Sequence, residues 1–413
     1  MTTCTLRGTA DCAMKLKSRP EDFRVEELAA PRDEGGPFAL YRLTKQSLGT
    51  PEAIDAICRA WRLRRESVGF GGLKDRHAVT QQFVSIERGP RRALTQKSFS
   101  LDYLAQTSRE FTSKDILANR FEIVLRDLAP IEAERIESEL PGVTDDGVPN
   151  YFDDQRFGSV GESGDFIARP WCLGDYERAL WLAIAESNEH DRGDVGTEKR
   201  VFRDQWGNWP NCLRAAVRPV SRAIFERLCR QPTDFRGAFV RIPQPDRRMY
   251  LGAFQSALWN RILAETIRSA LSAAELFAVE IGREPSPFFR AVQPAAAVNV
   301  LSDPLPLPSA RERHELGPRT ELYERVAAEF GLECRTLRVK FPRDSFFSRG
   351  SRAAVFRPQN LAKTIAPDEL SGREHGGHQK LTLQFDLAPG SYATVLIKRV
   401  TELPRLPSGA ANL

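Results

Sequence analysis

No apolar run in these 413 residues approaches the ~20 that a membrane-crossing helix requires. The first ten residues, MTTCTLRGTA, also lack the apolar core of a signal peptide. Both absences point to a cytoplasmic protein with no membrane partner. Cysteine is scarce: seven residues, at 4, 12, 58, 172, 212, 229 and 334, form an odd set with no Cys-x-x-Cys pair. This argues against a disulfide framework and against a zinc ribbon, and leaves most of them as small apolar fillers. A strong excess of one charge is missing as well. Sixty Lys and Arg against 55 Asp and Glu give a net charge of +5, too weak over this length to name a partner. No internal repeat and no low-complexity tract interrupts the chain.

Two familiar signatures are nearly present and fail. A dinucleotide fingerprint would need glycine where Lys74 stands, and a P-loop would need Ser or Thr where Asp75 stands. His375 and His378 have His-x-x-His spacing, but they sit in a glycine-rich stretch without a nearby cysteine or acid at ligand spacing. That stretch reads as a flexible loop, and no metal is expected.

What is there is an ordinary globular composition, 41% hydrophobic and 28% charged, long enough for two or three domains. The cations are unevenly distributed. From Arg59 to Lys97 there are ten cations (59, 62, 64, 65, 74, 76, 88, 91, 92, 97) and three acids (66, 75, 87). A basic field of this kind suits a polyanion such as nucleic acid, with a solvated charged face as the alternative.

At its centre lies Gly69-Phe70-Gly71-Gly72-Leu73-Lys74-Asp75-Arg76-His77-Ala78-Val79-Thr80-Gln81. Three glycines permit a tight turn with positive φ and a close ligand approach. A helix pattern precedes this stretch and a strand pattern follows it, so Asp75 is expected on a loop between two rigid elements, flanked by Lys74 and Arg76. If those cations point toward it, they favour its ionised form. His77 has no evident partner. No second acid, no Ser/His pair and no metal cluster stands nearby, so any catalysis here depends on one carboxylate.

The rest of the first segment mixes strands and helices without a regular βαβ rhythm, which predicts an α+β fold. Phe23 to Glu26, Phe38 to Leu43, Gln82 to Ile86 and Asn119 to Arg126 read as strands. Thr50 and Pro51 suit the start of a helix whose inward face is Ile54, Ile57, Cys58 and Trp61. From about 159 to 349 helical patterns dominate: Asp175 to Glu186, Val220 to Cys229, Tyr250 to Arg268 and Glu321 to Phe330. Glu284 to Pro287 and Asp303 to Pro308 read as proline-rich breaks between them. Strand alternation returns at Leu381, Leu383, Phe385 and Leu387. Ser391 is then placed to cap a closing helix, or to present free N–H groups to a phosphate.

Six ordered stretches resemble the TruD family of pseudouridine synthases: Leu16 to Glu27, Gly72 to Gln81, Asn119 to Arg126, Val148 to Gly158, Ala253 to Asn260 and Leu387 to Thr394. The resemblance implies an α+β, mixed-sheet catalytic domain (1–158 and 350–413) interrupted by a mostly helical inserted domain (159–349). It implies isomerisation of uridine to pseudouridine in tRNA, most often at D-arm uridine 13, without cofactor or metal. Other structured RNA is a possible substrate; no protein partner is implied, and a monomer is expected. By motif, Asp75 is the catalytic aspartate. Phe23, Asn119 and Tyr392 line the nucleotide pocket, with Lys17 and Phe121 nearby and Lys74 and Arg76 beside the acid. Two features depart from the pattern: Asp153 stands where the family has glycine, and the charged stretch Ala362 to Lys380 has no counterpart. Two readings compete, a non-catalytic RNA-binding or chaperone protein and a carboxylate-dependent hydrolase that would release free uracil.

Overall fold

The computed structural model describes residues 4–5, 15–16, 18–31, 33–189, 191, 193–282, 284–292, 295–371 and 377–402. They form two compact units, Met1–Val148 with Phe356–Leu413, and Pro149–Val355. The first is therefore discontinuous in sequence. Its boundaries fall at 148/149 and 355/356, where the sequence reading places them at 158/159 and 349/350.

The first unit is built on a mixed sheet. Its central run is Gln359–Pro367, Gln379–Leu387, Ala118–Leu128, Phe23–Leu28, Val79–Glu87, Phe38–Gln46 and Phe99–Thr107. Every neighbouring pair in that run is antiparallel except Phe23–Leu28 with Val79–Glu87. Strand alternation puts odd residues of one strand opposite odd or even residues of the next according to register. One row across the sheet reads Lys45, Thr80, Val25, Phe121 and Phe385. On the same face, Ala53, Ile54 and Ile57 of the Thr50–Trp61 helix pack on Tyr41, Leu43, Val84 and Ile86. Fully burying such aliphatic side chains contributes ~1.5–3 kcal/mol each. The closing helix, Ala393–Thr401, buries Val395, Leu396 and Val400 and pairs Arg399 with Glu139 at 3.1 Å.

Several local expectations are corrected. The helix expected to start with a Thr50 cap is capped by the backbone of Gly49, because the Thr50 hydroxyl is used elsewhere, as described below. The closing helix has Tyr392 rather than Ser391 at its N-cap, with no side-chain capping bond. The stretch Ala362 to Lys380 is no linker at its ends: Gln359–Pro367 and Gln379–Leu387 form an antiparallel hairpin. His375 lies outside the described residues. His378 places Nδ1 2.6 Å from Asp127 Oδ1.

The second unit is mostly helical, around the 27-residue helix Gln244–Ala270, which buries Phe254, Leu258, Trp259 and Ile262. The supposed break at Glu284 to Pro287 is a strand, Glu284–Phe289, paired with Leu276–Ile281. A two-stranded pairing needs fewer N–H donors than a central strand, so its two prolines are tolerated. Two of the family-like stretches meet here. Asn260 brackets the Phe152 backbone, accepting from its N–H at 2.8 Å and donating to its carbonyl at 2.9 Å. The Arg352 guanidinium stacks 4.1 Å over the Phe152 ring. Asp153 adopts φ −86°, ψ 170°, ordinary extended backbone, so glycine is not required at that position.

Candidate active site

Residues Gly71 to Ala78 form the expected loop, and the sheet beneath holds it at several points. The buried Thr50 hydroxyl donates to Gln82 Oε1 at 2.8 Å and accepts from Lys74 N–H at 3.0 Å. Gln82 Nε2 donates to the Gly72 carbonyl at 3.1 Å. From below, Lys45 Nζ donates to the carbonyls of Leu48 at 2.7 Å, Asp75 at 2.8 Å and Lys74 at 3.4 Å. Lys45 is 1% exposed, and a buried ammonium is tolerated because carbonyl oxygens replace its water. Burial lowers its pKa to about 8, with the Asp75 carboxylate acting in the opposite direction.

The glycines do a different job from the one expected. None of Gly69, Gly71 and Gly72 has positive φ. A Cβ at Gly71 would meet Ile116 Cδ1 at 2.4 Å, and one at Gly69 would meet Glu110 Cγ at 2.3 Å. Gly69 and Gly71 are small because side chains from the 110–116 segment press on them, while Gly72 has open space around it.

Asp75 is half-buried, and its Oδ1 accepts the His77 backbone N–H at 3.0 Å, a local turn that fixes the carboxylate. His77 thus contributes its backbone, and its side chain is exposed. The flanking cations are each committed to another carboxylate. Lys74 Nζ lies 2.6 Å from Glu27 Oε1 and donates to Asn119 Oδ1 at 3.1 Å. Arg76 pairs with Glu52 at the exposed surface. Glu27 is fully buried and its other oxygen accepts the Phe83 N–H at 2.9 Å.

Register explains why these groups meet. Asn119 sits opposite Glu27 on one neighbouring strand and opposite Leu387 on the other. An ammonium can only donate, so Lys74 must meet the oxygen of the Asn119 amide, which leaves that residue's NH2 as a donor. Phe23 and Phe121 lie on the same face, 5% and 9% exposed, edge to face at 6.2 Å, and Phe121 stacks on Phe385 at 5.7 Å. They form a packed aromatic wall. Tyr392 is half-buried at the start of the closing helix, five residues after Leu387, the strand partner of Asn119. Lys17 lies outside the described residues.

The pattern for "tRNA pseudouridine synthase D (TruD)" matches residues 2–400. The chain belongs to the TruD family. Among relatives, the tRNA pseudouridine synthase D of Leptospira interrogans is 27% identical over 398 residues, spanning 93% of this chain and 95% of that one. The tRNA pseudouridine synthase D of Aquifex aeolicus is 27% identical over 401 residues, spanning 94% and 98%. A crystal structure from Methanosarcina mazei with the same TruD description superposes with a TM-score of 0.65 at 24% identity, covering 94% of this chain and 93% of that one. That likeness supports the TruD fold for the mixed α+β architecture above. Lys45, Glu27, Thr50 and Gln82 were not among the residues expected at the site. Lys45 and Glu27 carried a signal, since each places a charge at an inward position of an alternating strand.

Among the described residues, no group of three His, Cys, Asp or Glu side chains could hold a metal ion, and no helix is long and apolar enough to cross a membrane.

Proposed function

We propose that this chain isomerises uridine to pseudouridine in tRNA, at D-arm uridine 13, with Asp75 as the catalytic carboxylate. We further propose that it acts as a cytoplasmic monomer without metal or cofactor. The observation that carries the reading is the immobilised loop: one carboxylate that accepts the His77 N–H, with its own carbonyl held by Lys45 and the preceding residue's amide by Thr50. Preorganisation of this kind is what a developing charge needs, since no reorganisation is required as it forms.

The reaction breaks N1–C1′, turns the uracil while it is held, and joins C5 to C1′. Positive character builds on the sugar as the first bond lengthens, and Asp75 serves by stabilising it, by attacking C1′, or by removing a proton from C2′. Once C5 is joined to C1′ its proton is released to solvent and N1 takes one up, and any bond to Asp75 is broken, or any proton taken from C2′ returned, as the new bond forms. The uridine must leave its stack, which costs a few kcal/mol. Stacking on an aromatic side chain returns ~1–3 kcal/mol. Phe23 and Phe121 are packed too closely to supply an open ring face, so Tyr392 takes that role, with the phenylalanine edges as the wall. Asn119, with its oxygen held by Lys74, donates to a uracil carbonyl. Directed at O4, this rejects cytosine, which presents an amino group there.

Tritium release from tRNA labelled at C5 of uridine tests the assignment. Asp75→Asn is expected to lose ~10²–10⁴-fold in rate with tRNA affinity kept, and wild-type release from that variant would sink it. Mapping the product to a position other than 13 would refute the site, and loss of turnover on chelation would refute the metal-free reading.

A further inference from the structure

The second unit contains a concavity of about 480 Å³ lined by Arg311, Arg338, Lys340 and Arg343, with Phe346 at its edge. Among the described residues no carboxylate lines it and none of the four cations makes an ion pair. All four are exposed, and Phe346 is 56% exposed, unusual for a phenylalanine. The Arg248 guanidinium lies 5.9 Å from the centre of its ring.

The walls are irregular backbone, yet they are fixed. Ala310 N–H donates to the Leu337 carbonyl at 3.0 Å, joining two of the three segments. The buried Trp171 indole donates to the Phe341 carbonyl at 2.7 Å. Gln255, buried in the long helix, donates to the Ser348 carbonyl at 2.8 Å and accepts from its N–H at 3.2 Å. Arg247 and Gln244 hold Asp344 at 2.9 and 2.8 Å. Four cations without an ion pair among the described residues stand beside one largely exposed ring on a scaffold pinned from below, and exposed like charges repel one another until a counter-charge arrives.

We propose that this concavity binds the RNA substrate outside the reacting nucleotide, with Arg338, Lys340 and Arg343 on successive phosphates and Phe346 stacking on a base. The combination favours RNA over a membrane surface, because a concave site with an upright aromatic side chain matches a strand of phosphates and bases. The proposal rests on the reading of the chain as an RNA-modifying enzyme.

The test replaces Arg338, Lys340 and Arg343 together by Gln in the full chain, beside a control that replaces Arg200, Arg230 and Arg241, exposed cations elsewhere in the unit. Affinity for tRNA is measured against salt, and turnover by tritium release. The site variant is expected to raise KM about tenfold or more with kcat kept. Its slope of log affinity against log salt should be shallower by about 2–3, at ~0.7–0.9 per phosphate lost. The control should match wild type. Phe346→Ala alone should weaken binding about fivefold or more with the salt slope kept. Equal weakening in the control, an unchanged slope in the site variant, or loss of binding to anionic vesicles with tRNA affinity untouched would overturn the proposal. In those cases wild-type tritium release leaves the reading of function standing. Absence of release from wild type would strike both.

Discussion

The strand Ala118–Leu128 carries a buried cation cluster at each end, ~23 Å apart. At Arg126 the guanidinium is saturated. It meets Asp22 at 2.8–3.0 Å, Asp368 at 2.7 Å and Glu369 at 3.2 Å, so two distant chain segments converge on one residue. The carboxylates are saturated too, Asp22 by the Arg19 N–H and Asp368 by the Asp127 N–H. At Asn119 the ammonium of Lys74 is divided between one buried carboxylate and one amide oxygen, and the amide keeps its donor. The first cluster closes on itself and fixes the fold. The second fixes the Asn119 amide by its oxygen and leaves its NH2 group as a donor. Burial and pairing alone do not separate them; unused hydrogen-bonding capacity does.

Breaking each cluster should sharpen that contrast. Arg126→Met leaves two buried carboxylates without their cation and is expected to cost ~3–5 kcal/mol, read by denaturant unfolding. An unchanged midpoint would show that the pair is solvated. Lys45→Met removes three donors from beneath the loop. It should lower kcat ~10–100-fold while tRNA affinity stays within about twofold, and an equal loss of both would mean that the loop binds rather than reacts. The double replacement Lys74→Met with Glu27→Gln should recover most of the stability lost on replacing Lys74 alone, because a neutral pair needs no buried counter-charge, but it should not recover the rate. Recovery of both would make this end as purely structural as the other.

The smallest expected effect is set by pH. The pKa of Lys45 in the folded chain, about 8, lies below the ordinary 10.5. Between those values the unfolded chain binds more protons, so this group's penalty is full below pH 8 and is relieved as pH rises toward 10.5. The ammonium that grips the loop is lost in the same window. Activity should therefore decline as pH rises through about 8 while stability from this group improves, and Lys45→Arg should abolish that decline. A limb of unchanged midpoint in Lys45→Arg would assign it to another group.

Much of this was legible in the residues. The strands at 23, 38, 82, 119 and 381 and the helix at 51 follow from periodicity, because tertiary packing there agrees with local preference. Asp75 on a loop followed from glycine and from the change of pattern around it. What was not legible came from long-range partners. Thr50 looked like a cap and became a strut because Gln82, thirty-two residues on, accepts its proton. Lys74 and Arg76 looked like neighbours of Asp75, yet Glu27 and Glu52 compete for them from other elements. Glu284 to Pro287 looked like a break because two prolines outweighed the alternation that its partner strand enforces.

Asn119 acquires its second strand neighbour, Leu387, only about 270 residues further along the chain. At ~5–20 residues per second of synthesis, that delay is roughly 15–50 s. The growing polypeptide therefore carries Asp75 long before it carries the strand Gln379–Leu387 and the helix Ala393–Thr401. A product truncated anywhere in the intervening unit would hold Asn119 against Glu27 alone, with its other strand edge uncovered.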